Sequence, residues 1–418
     1  MQPGDELSLQ LTGMAFGGEA LGRADDGRLV FVGFALPQER VRVELVDVRP
    51  RWARARLLEV LEPSPDRITP RCLHFGVCGG CHYQHAAYDP QLRHKRDIVI
   101  DQLRRIGGLA EPPVEEIVPS PDPWRYRNRL RFHLTADNRL AFFDTSQQAL
   151  FPVEECHLPG AIVSQLWPQL AFETGGGVVD VEVRQDSFER GMVVLHGEGG
   201  PDFSLDSDVG ASVIWHEADG TLVLAGDPDL TMQVGARAFR VSPGSFFQTN
   251  LALTERLVDR LLALLRIEPG QTVYDLYAGV GLFSAFLADH GAIVTGVESS
   301  ASACADFEVN LEMFGDVSLY ESSVEQALPA LSETPAAVVV DPPRAGLAVE
   351  VVDALVGWQA PQVAYVSCDP ATLARDAKRL HAGGYRLQTV IPFDMFPQTY
   401  HIETLSYFVW QGRKSDER

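Results

Sequence analysis

Thr272-Val273-Tyr274-Asp275-Leu276-Tyr277-Ala278-Gly279-Val280-Gly281-Leu282 decides the fold of the C-terminal half. An apolar strand ends in an acid and an aromatic residue, a tight glycine loop follows, and an apolar helix continues to Asp289. The next apolar strand, Ala292 to Val297, ends in Glu298, 19 residues after Gly279. A glycine loop at one strand end and an acid at the next form the nucleotide–ribose arrangement of doubly wound α/β folds.

The loop reads G-x-G and lacks the third glycine of a dinucleotide fingerprint. A cofactor with one adenosyl group and no pyrophosphate, S-adenosylmethionine, therefore fits better than NAD. A further strand, Ala336 to Val340, ends in Asp341-Pro342-Pro343-Arg344. In amino-methylating enzymes the residue after Pro-Pro is usually aromatic and stacks on the base, so Arg344 argues against an exocyclic nitrogen as target. The next apolar run, Tyr365-Val366-Ser367, leads into Cys368-Asp369-Pro370, where the proline starts a helix. A thiol on such a corner can face a cleft, and a helix N-terminus is expected to lower its pKa. A buried structural cysteine is the bland alternative. In the closing strands, Glu403 interrupts the apolar alternation of His401-Ile402-Glu403-Thr404-Leu405.

Outward from this module, 418 residues allow two or three domains, and 45% apolar content is ordinary for a globular chain. No run of about 18 apolar residues appears, and Met1 to Glu6 lacks the basic-then-apolar start of a signal peptide. A cytoplasmic protein without a membrane partner is expected, with its six cysteines reduced and available for metal binding or catalysis. The formal charge of −22 is uneven. Residues 1–135 hold 19 of the 35 Lys and Arg and 18 of the 57 Asp and Glu, so an anionic partner is expected to meet the first third.

Residues 1–62 alternate with period 2 and carry turn signals at Gly17-Gly18 and Asp25-Asp26-Gly27, which predicts a small barrel of about five strands. Arg51, Trp52 and Arg54 mix cations with an aromatic ring, as phosphate contact plus base stacking requires. The same run also suits a charged strand edge that blocks edge pairing. Residues 63–235 form an expected central β-rich domain. It holds Cys72, Cys78 and Cys81, spaced C-x5-C-x2-C, and the remote Cys156. Four thiolates can hold zinc or an iron–sulfur cluster, and three clustered cysteines plus a remote one suit a [4Fe–4S] cluster better. A basic amphipathic helix is expected over 90–107 and can pack on the catalytic domain. Arg125, Arg127, Arg129 and Arg131 occupy every second position, which predicts an RNA-facing strand stripe, or else a sheet face with compensating acids on its neighbour. The third domain, 236–418, opens with Phe246, Phe247 and Gln248 on a loop that could line a pocket.

In this order the glycine loop, Glu298, Asp341-Pro342-Pro343-Arg344, Ser367-Cys368-Asp369-Pro370 and His401-Ile402-Glu403 resemble the RNA 5-methyluridine methyltransferase family. The resemblance covers nearly the whole chain. It implies a TRAM module (OB-like) at 1–62, a central domain with an iron–sulfur site, and a Rossmann-like S-adenosylmethionine-dependent methyltransferase domain at 236–418. The subgroup with both the TRAM module and the cluster mainly modifies 23S rRNA, whereas the bacterial transfer-RNA subgroup typically lacks both. The resemblance makes Cys368 the nucleophile that adds to C6 of uracil and Glu403 the base. It places Gln248, Tyr277, Gly279, Gly281, Leu282, Glu298, Ser323 and Asp341 around the cofactor, with Asp341 and Gln248 also candidates for the uracil edge. RNA contacts are expected from the Arg and Trp residues above and from Phe246 and Phe247. Leu282 and Ser323 depart from the family, which often has polar and acidic or amide residues there. A monomer is expected. The alternatives are a tRNA uridine-C5 methyltransferase and a non-catalytic RNA-binding or assembly factor.

Overall fold

The computed structural model describes residues 1–144, 149–172, 177–201, 210–217 and 220–412. The first 62 residues close into a barrel of β1 (Glu6–Met14), β2 (Glu19–Arg23), β3 (Leu29–Gly33), β4 (Arg40–Val48) and β5 (Trp52–Glu62), in the order β1-β2-β3-β5-β4. The period-2 pattern explains the closure: Val41, Val43 and Leu45 point inward with Leu9, Val30 and Ala53, while Arg40 and Arg42 point out. Arg67, just past the barrel, forms an ion pair with the buried Glu39, whose carboxylate also accepts from the Leu36 N–H at 2.8 Å. That contact fastens the barrel to the cysteine-bearing segment.

Helix α1 (Tyr88–Arg105) follows, its apolar face (Ile98, Val99, Leu103) sharing a core with the C-terminal module. A seven-stranded sheet then forms from β6 (Arg129–Leu134), β7 (Leu140–Asp144), β8 (Ala149–Pro152), β9 (Val178–Gln185), β10 (Gly191–Gly197), β11 (Ala211–Glu217) and β12 (Gly220–Ala225). Its order is β12-β11-β10-β9-β6-β7-β8, and α2 (Ala161–Leu166) covers one face. The arginine stripe differs from its expected form. Strand β6 starts only at Arg129, and Arg125 lies before it in the left-handed region (φ 51°).

The hairpin β13 (Leu230–Val234) and β14 (Arg237–Val241) and helix α3 (Leu251–Leu264) lead into the second large sheet. This sheet comprises β15 (Thr272–Leu276), β16 (Ile293–Glu298), β17 (Val317–Glu321), β18 (Ala337–Val340), β19 (Gln362–Ser367), β20 (Tyr385–Phe393) and β21 (Glu403–Trp410). Helices α4 (Leu282–Asp289), α5 (Ala301–Leu311), α6 (Val324–Ala327), α7 (Val349–Trp358) and α8 (Pro370–Gly383) connect the strands. The order is β17-β16-β15-β18-β19-β21-β20, parallel from β17 to β19, with β21 antiparallel to both neighbours. Apolar clusters cover both faces, as parallel strands require. The winding order reverses between the parallel strands β15 and β18, which puts a ligand crevice at the carboxyl ends of those strands. Among the described residues no helix is long and apolar enough to cross a membrane.

Candidate active site

The glycine loop is held by the acid one strand over. Glu298 accepts from the Gly279 N–H at 2.9 Å and from the Ser299 and Ser300 N–H groups at 2.7 Å. A Cβ on Gly279 would meet nothing within 4 Å, so the loop presents bare backbone to open space. Gly281 has a different task. At φ 89° it brings the chain so close to α5 that a Cβ would stand 2.2 Å from Leu311 Cδ1. Tyr277 leaves β15 in the left-handed region (φ 65°), a strained conformation for an aromatic residue, and its ring borders the cleft. Leu282 is buried at the start of α4, and the Ser323 hydroxyl caps α6 by accepting from the Gln326 N–H at 3.4 Å.

Except for Gly281, these groups line a cleft of about 1360 Å³ that also contains Gln248, Asp341, Cys368 and Glu403. Cys368 sits on the predicted corner. Asp369 caps α8 by accepting from the Ala371 and Thr372 N–H groups, both at 2.9 Å, and Pro370 occupies the first turn. The expected low thiol pKa does not follow. Burial pushes the Cys368 thiol up to about 12, the charges of Glu403 and Asp341 add to the push, and Arg344 opposes it. A helix N-terminus is too weak to outweigh burial between two carboxylates. Burial also raises those acids: Asp341 to about 7, with Asp275 adding, and Glu403 well above the ordinary carboxylate range. Asp275 itself is raised to about 7 by burial, although Ser284 Oγ donates to it at 2.6 Å.

At its other end the same cleft is bordered by Cys72, Cys78, Cys81 and Cys156, all free thiols. Burial raises each of them, Cys81 to about 12 and Cys156 to about 11, while the Arg127 guanidinium draws Cys78, Cys81 and Cys156 back down. Among the described residues no three His, Cys, Asp or Glu side chains are placed to hold a metal ion. A four-iron cubane spaces its thiolates more widely than one ion does, and four cysteines around one cavity beside a cation suit that larger anionic group. His74 Nε2 accepts from the Glu154 N–H at 3.0 Å.

The expected RNA contacts separate. Arg51 is exposed on the turn before β5, and the Arg54 guanidinium lies 5.7 Å from the Trp52 ring while pairing with Glu19 at 3.2 Å. Arg125 pairs with Asp122 at 3.1 Å, Arg129 with Glu182 at 3.7 Å and Arg131 with Asp180 at 2.7 Å. Arg127 borders the cysteine end of the cleft. The stripe is therefore no free polycation. Strand β9 pairs with β6 so that Arg131 faces Glu182 and His133 faces Asp180, which supplies the compensating acids. Phe246 is 57% exposed with the Arg129 guanidinium 5.3 Å from its ring, but Phe247 is a core residue packed on Phe239 at 5.8 Å. Gln248 is buried, and its carbonyl accepts from Asn128 Nδ2 at 3.0 Å.

Sequence reasoning passed over Gln91, Gln398 and the fully buried Lys95–Asp394 pair (2.5 Å). The one signal for the last was a lone acid inside the apolar run Phe393-Asp394-Met395.

Comparison with known proteins agrees with this geometry. The family model described as tRNA (Uracil-5-)-methyltransferase matches residues 225–409, and that of the TRAM domain matches 2–58. An uncharacterized RNA methyltransferase of Chlorobaculum tepidum is 32% identical, covering 97% of this chain and 96% of its own. Another, from Streptomyces avermitilis, is 33% identical over 96% of this chain and 98% of its own. The crystal structure of Pyrococcus abyssi tRNA (uracil-54, C5)-methyltransferase in complex with S-adenosyl-L-homocysteine superposes with a TM-score of 0.76. It is 26% identical and covers 96% of this chain and 100% of that one.

Proposed function

The chain belongs to the RNA uracil-C5 methyltransferase family with a TRAM domain, and on that premise we propose that it methylates C5 of a specific uridine through a covalent bond from Cys368 to C6. One observation carries the reading: Asp341, Cys368 and Glu403, from three neighbouring strands, border one cleft with the glycine loop and Glu298.

S-adenosylmethionine, when bound, supplies an electrophilic methyl group. Glu298 would receive its ribose hydroxyls, since two carboxylate oxygens offer about four acceptor sites and three N–H groups use only part of them. Gly279 leaves room for the adenosyl group, and the Tyr277 ring and Ser323 border that space. Gln248 and Asp341 would hold the uracil edge. The target uridine must leave its stack to enter, at a cost of a few kcal/mol.

C5 of uracil is a poor nucleophile. The Cys368 sulfur forms a bond to C6, the C5–C6 π electrons move toward O4 as an enolate, and C5 becomes able to take the methyl group. The thiol proton leaves as the sulfur attacks, and Asp341, with its raised pKa, is the neighbour suited to accept it, which leaves the Glu403 carboxylate free for the C5 proton. Glu403 then takes the C5 proton. The C5–H electron pair restores the double bond and expels the sulfur.

Cys72, Cys78, Cys81 and Cys156 would hold a [4Fe–4S] cluster through four thiolates, in a structural or RNA-positioning role. The pairing of those cysteines with a TRAM domain favours 23S rRNA as substrate. The tRNA (uracil-54) enzyme of P. abyssi, alike over its whole length, supports transfer RNA as the second reading. Incubation with 23S rRNA and tRNA transcripts, followed by mass-spectrometric mapping of 5-methyluridine, decides between them. Methylation of tRNA alone contradicts the rRNA reading, and methylation of neither contradicts both.

A further inference from the structure

The segment between β20 and β21 delivers Glu403 to the cleft, and it is gripped from three sides. Gln398 lies at its centre, buried and left-handed (φ 68°). Its carbonyl accepts the N–H groups of His82 at 2.8 Å and Tyr83 at 3.0 Å, the two residues that follow Cys81. Gln91 of α1, itself buried, closes the junction. Its Oε1 accepts from the Gln398 N–H at 3.1 Å. Its Nε2 donates to the Ala86 carbonyl at 2.9 Å and to Gln398 Oε1 at 3.0 Å, with the Tyr83 carbonyl at 3.2 Å. One helical turn on, Lys95 pairs with Asp394 and donates to the Phe396 carbonyl at 3.0 Å. From the barrel, Phe16 meets the Tyr400 ring edge-on at 5.6 Å, and His82 meets the same ring at 4.6 Å.

None of these side chains is placed for chemistry at a uracil ring. Together they fix an irregular segment whose end is Glu403. In a dry interior an amide that loses its partners disturbs the backbone it served, so the junction holds one arrangement. We propose that Gln91 is a positioning residue for Glu403, coupling the segment that follows Cys81 to the step in which the C5 proton is removed. The proposal rests on Glu403 being the base. In that step the carboxylate gains the C5 proton, the C5–C6 double bond re-forms, and the C6–S bond breaks with its electron pair returning to Cys368.

The test uses Gln91→Ala and Glu403→Gln in the whole protein. Gln91→Ala should lower kcat about 10- to 100-fold, a part of what full loss of a general base removes, with KM for RNA and cofactor changed less than about twofold. It should accumulate methylated RNA covalently on Cys368, as Glu403→Gln should. With RNA containing 5-fluorouridine, which has no C5 proton to remove, it should form its adduct at the wild-type rate. A purely structural role would slow that adduct and turnover alike and overturns the proposal. Accumulation by Glu403→Gln but not by Gln91→Ala overturns it while sparing the base. No accumulation by Glu403→Gln removes the base assignment and the proposal with it. If Gln91→Ala does not fold, Gln398→Asn carries the same test, because asparagine tolerates the left-handed backbone but its side chain is too short to accept from Gln91 Nε2.

Discussion

The two ends of the cleft present the same side chain in opposite electrostatic company. Burial raises the thiol at both. At one end Asp341 and Glu403 push Cys368 further up, and at the other Arg127 draws Cys78, Cys81 and Cys156 back. A thiol among acids keeps its proton until a substrate arrives, which suits a reversible bond to carbon. The Arg127 guanidinium offsets part of the burial at its three thiols, as Arg344 does at Cys368, and Cys81 stays as high as Cys368, at about 12. The difference between the two sets of thiols lies in neighbours brought from elsewhere in the chain, more than in the cysteines themselves.

The sharpest way to break this contrast is at the acidic end. Glu403→Gln should lower turnover about 10²- to 10⁴-fold and leave RNA bound to Cys368, visible as an SDS-stable band; brisk turnover by that variant would exclude Glu403 as the base. At the other end, Cys81→Ser should cost the protein most of its iron and its broad absorption near ~400 nm, while cofactor affinity measured by calorimetry stays within about twofold. A colourless, zinc-loaded wild type from an anaerobic preparation would erase the contrast.

Charge at the acidic end also bears on stability. Asp275 has a folded pKa of about 7 against an ordinary value of 3.8, so the folded state binds its proton more tightly than the unfolded chain does. The favourable contribution is complete below the ordinary value and is lost as pH rises to about 7, beyond which it is constant; the loss is ~4 kcal/mol from a shift of this size. Asp275→Asn should flatten the decline seen in urea titrations between pH 4 and 7, and an unchanged slope would show that another group causes it. The smallest effect belongs to the central sheet. Arg131 is already paired with Asp180, so Arg131→Ala should weaken RNA binding less than about threefold in a filter assay at moderate salt. A tenfold loss would restore the free arginine stripe.

What the sequence made legible was local. Period-2 alternation foretold the barrel, and the glycine loop with Glu298 foretold the turn from β15 to α4. Cys368 was legible as a strand-end residue because Asp369-Pro370 spells a helix start. What stayed hidden was pairwise and distant. Asp180 and Glu182 neutralise arginines about fifty residues earlier only because of the register between β6 and β9. Phe247 and Phe246 read alike in sequence, yet one joins the Phe239 core and the other faces solvent. The raised Cys368 thiol needs two acids from other strands, and the Gln91–Gln398 junction spans most of the chain.

The bond proposed here runs from Cys368 to C6 of a uridine in RNA. Incubating the protein with 5-fluorouridine-containing RNA and S-adenosylmethionine, then digesting and sequencing any crosslinked peptide by mass spectrometry, tests it most directly. One nucleotide adduct is expected, on Cys368 and absent from Cys368→Ala. An adduct on any other residue, or 5-methyluridine formed by Cys368→Ala, would contradict it.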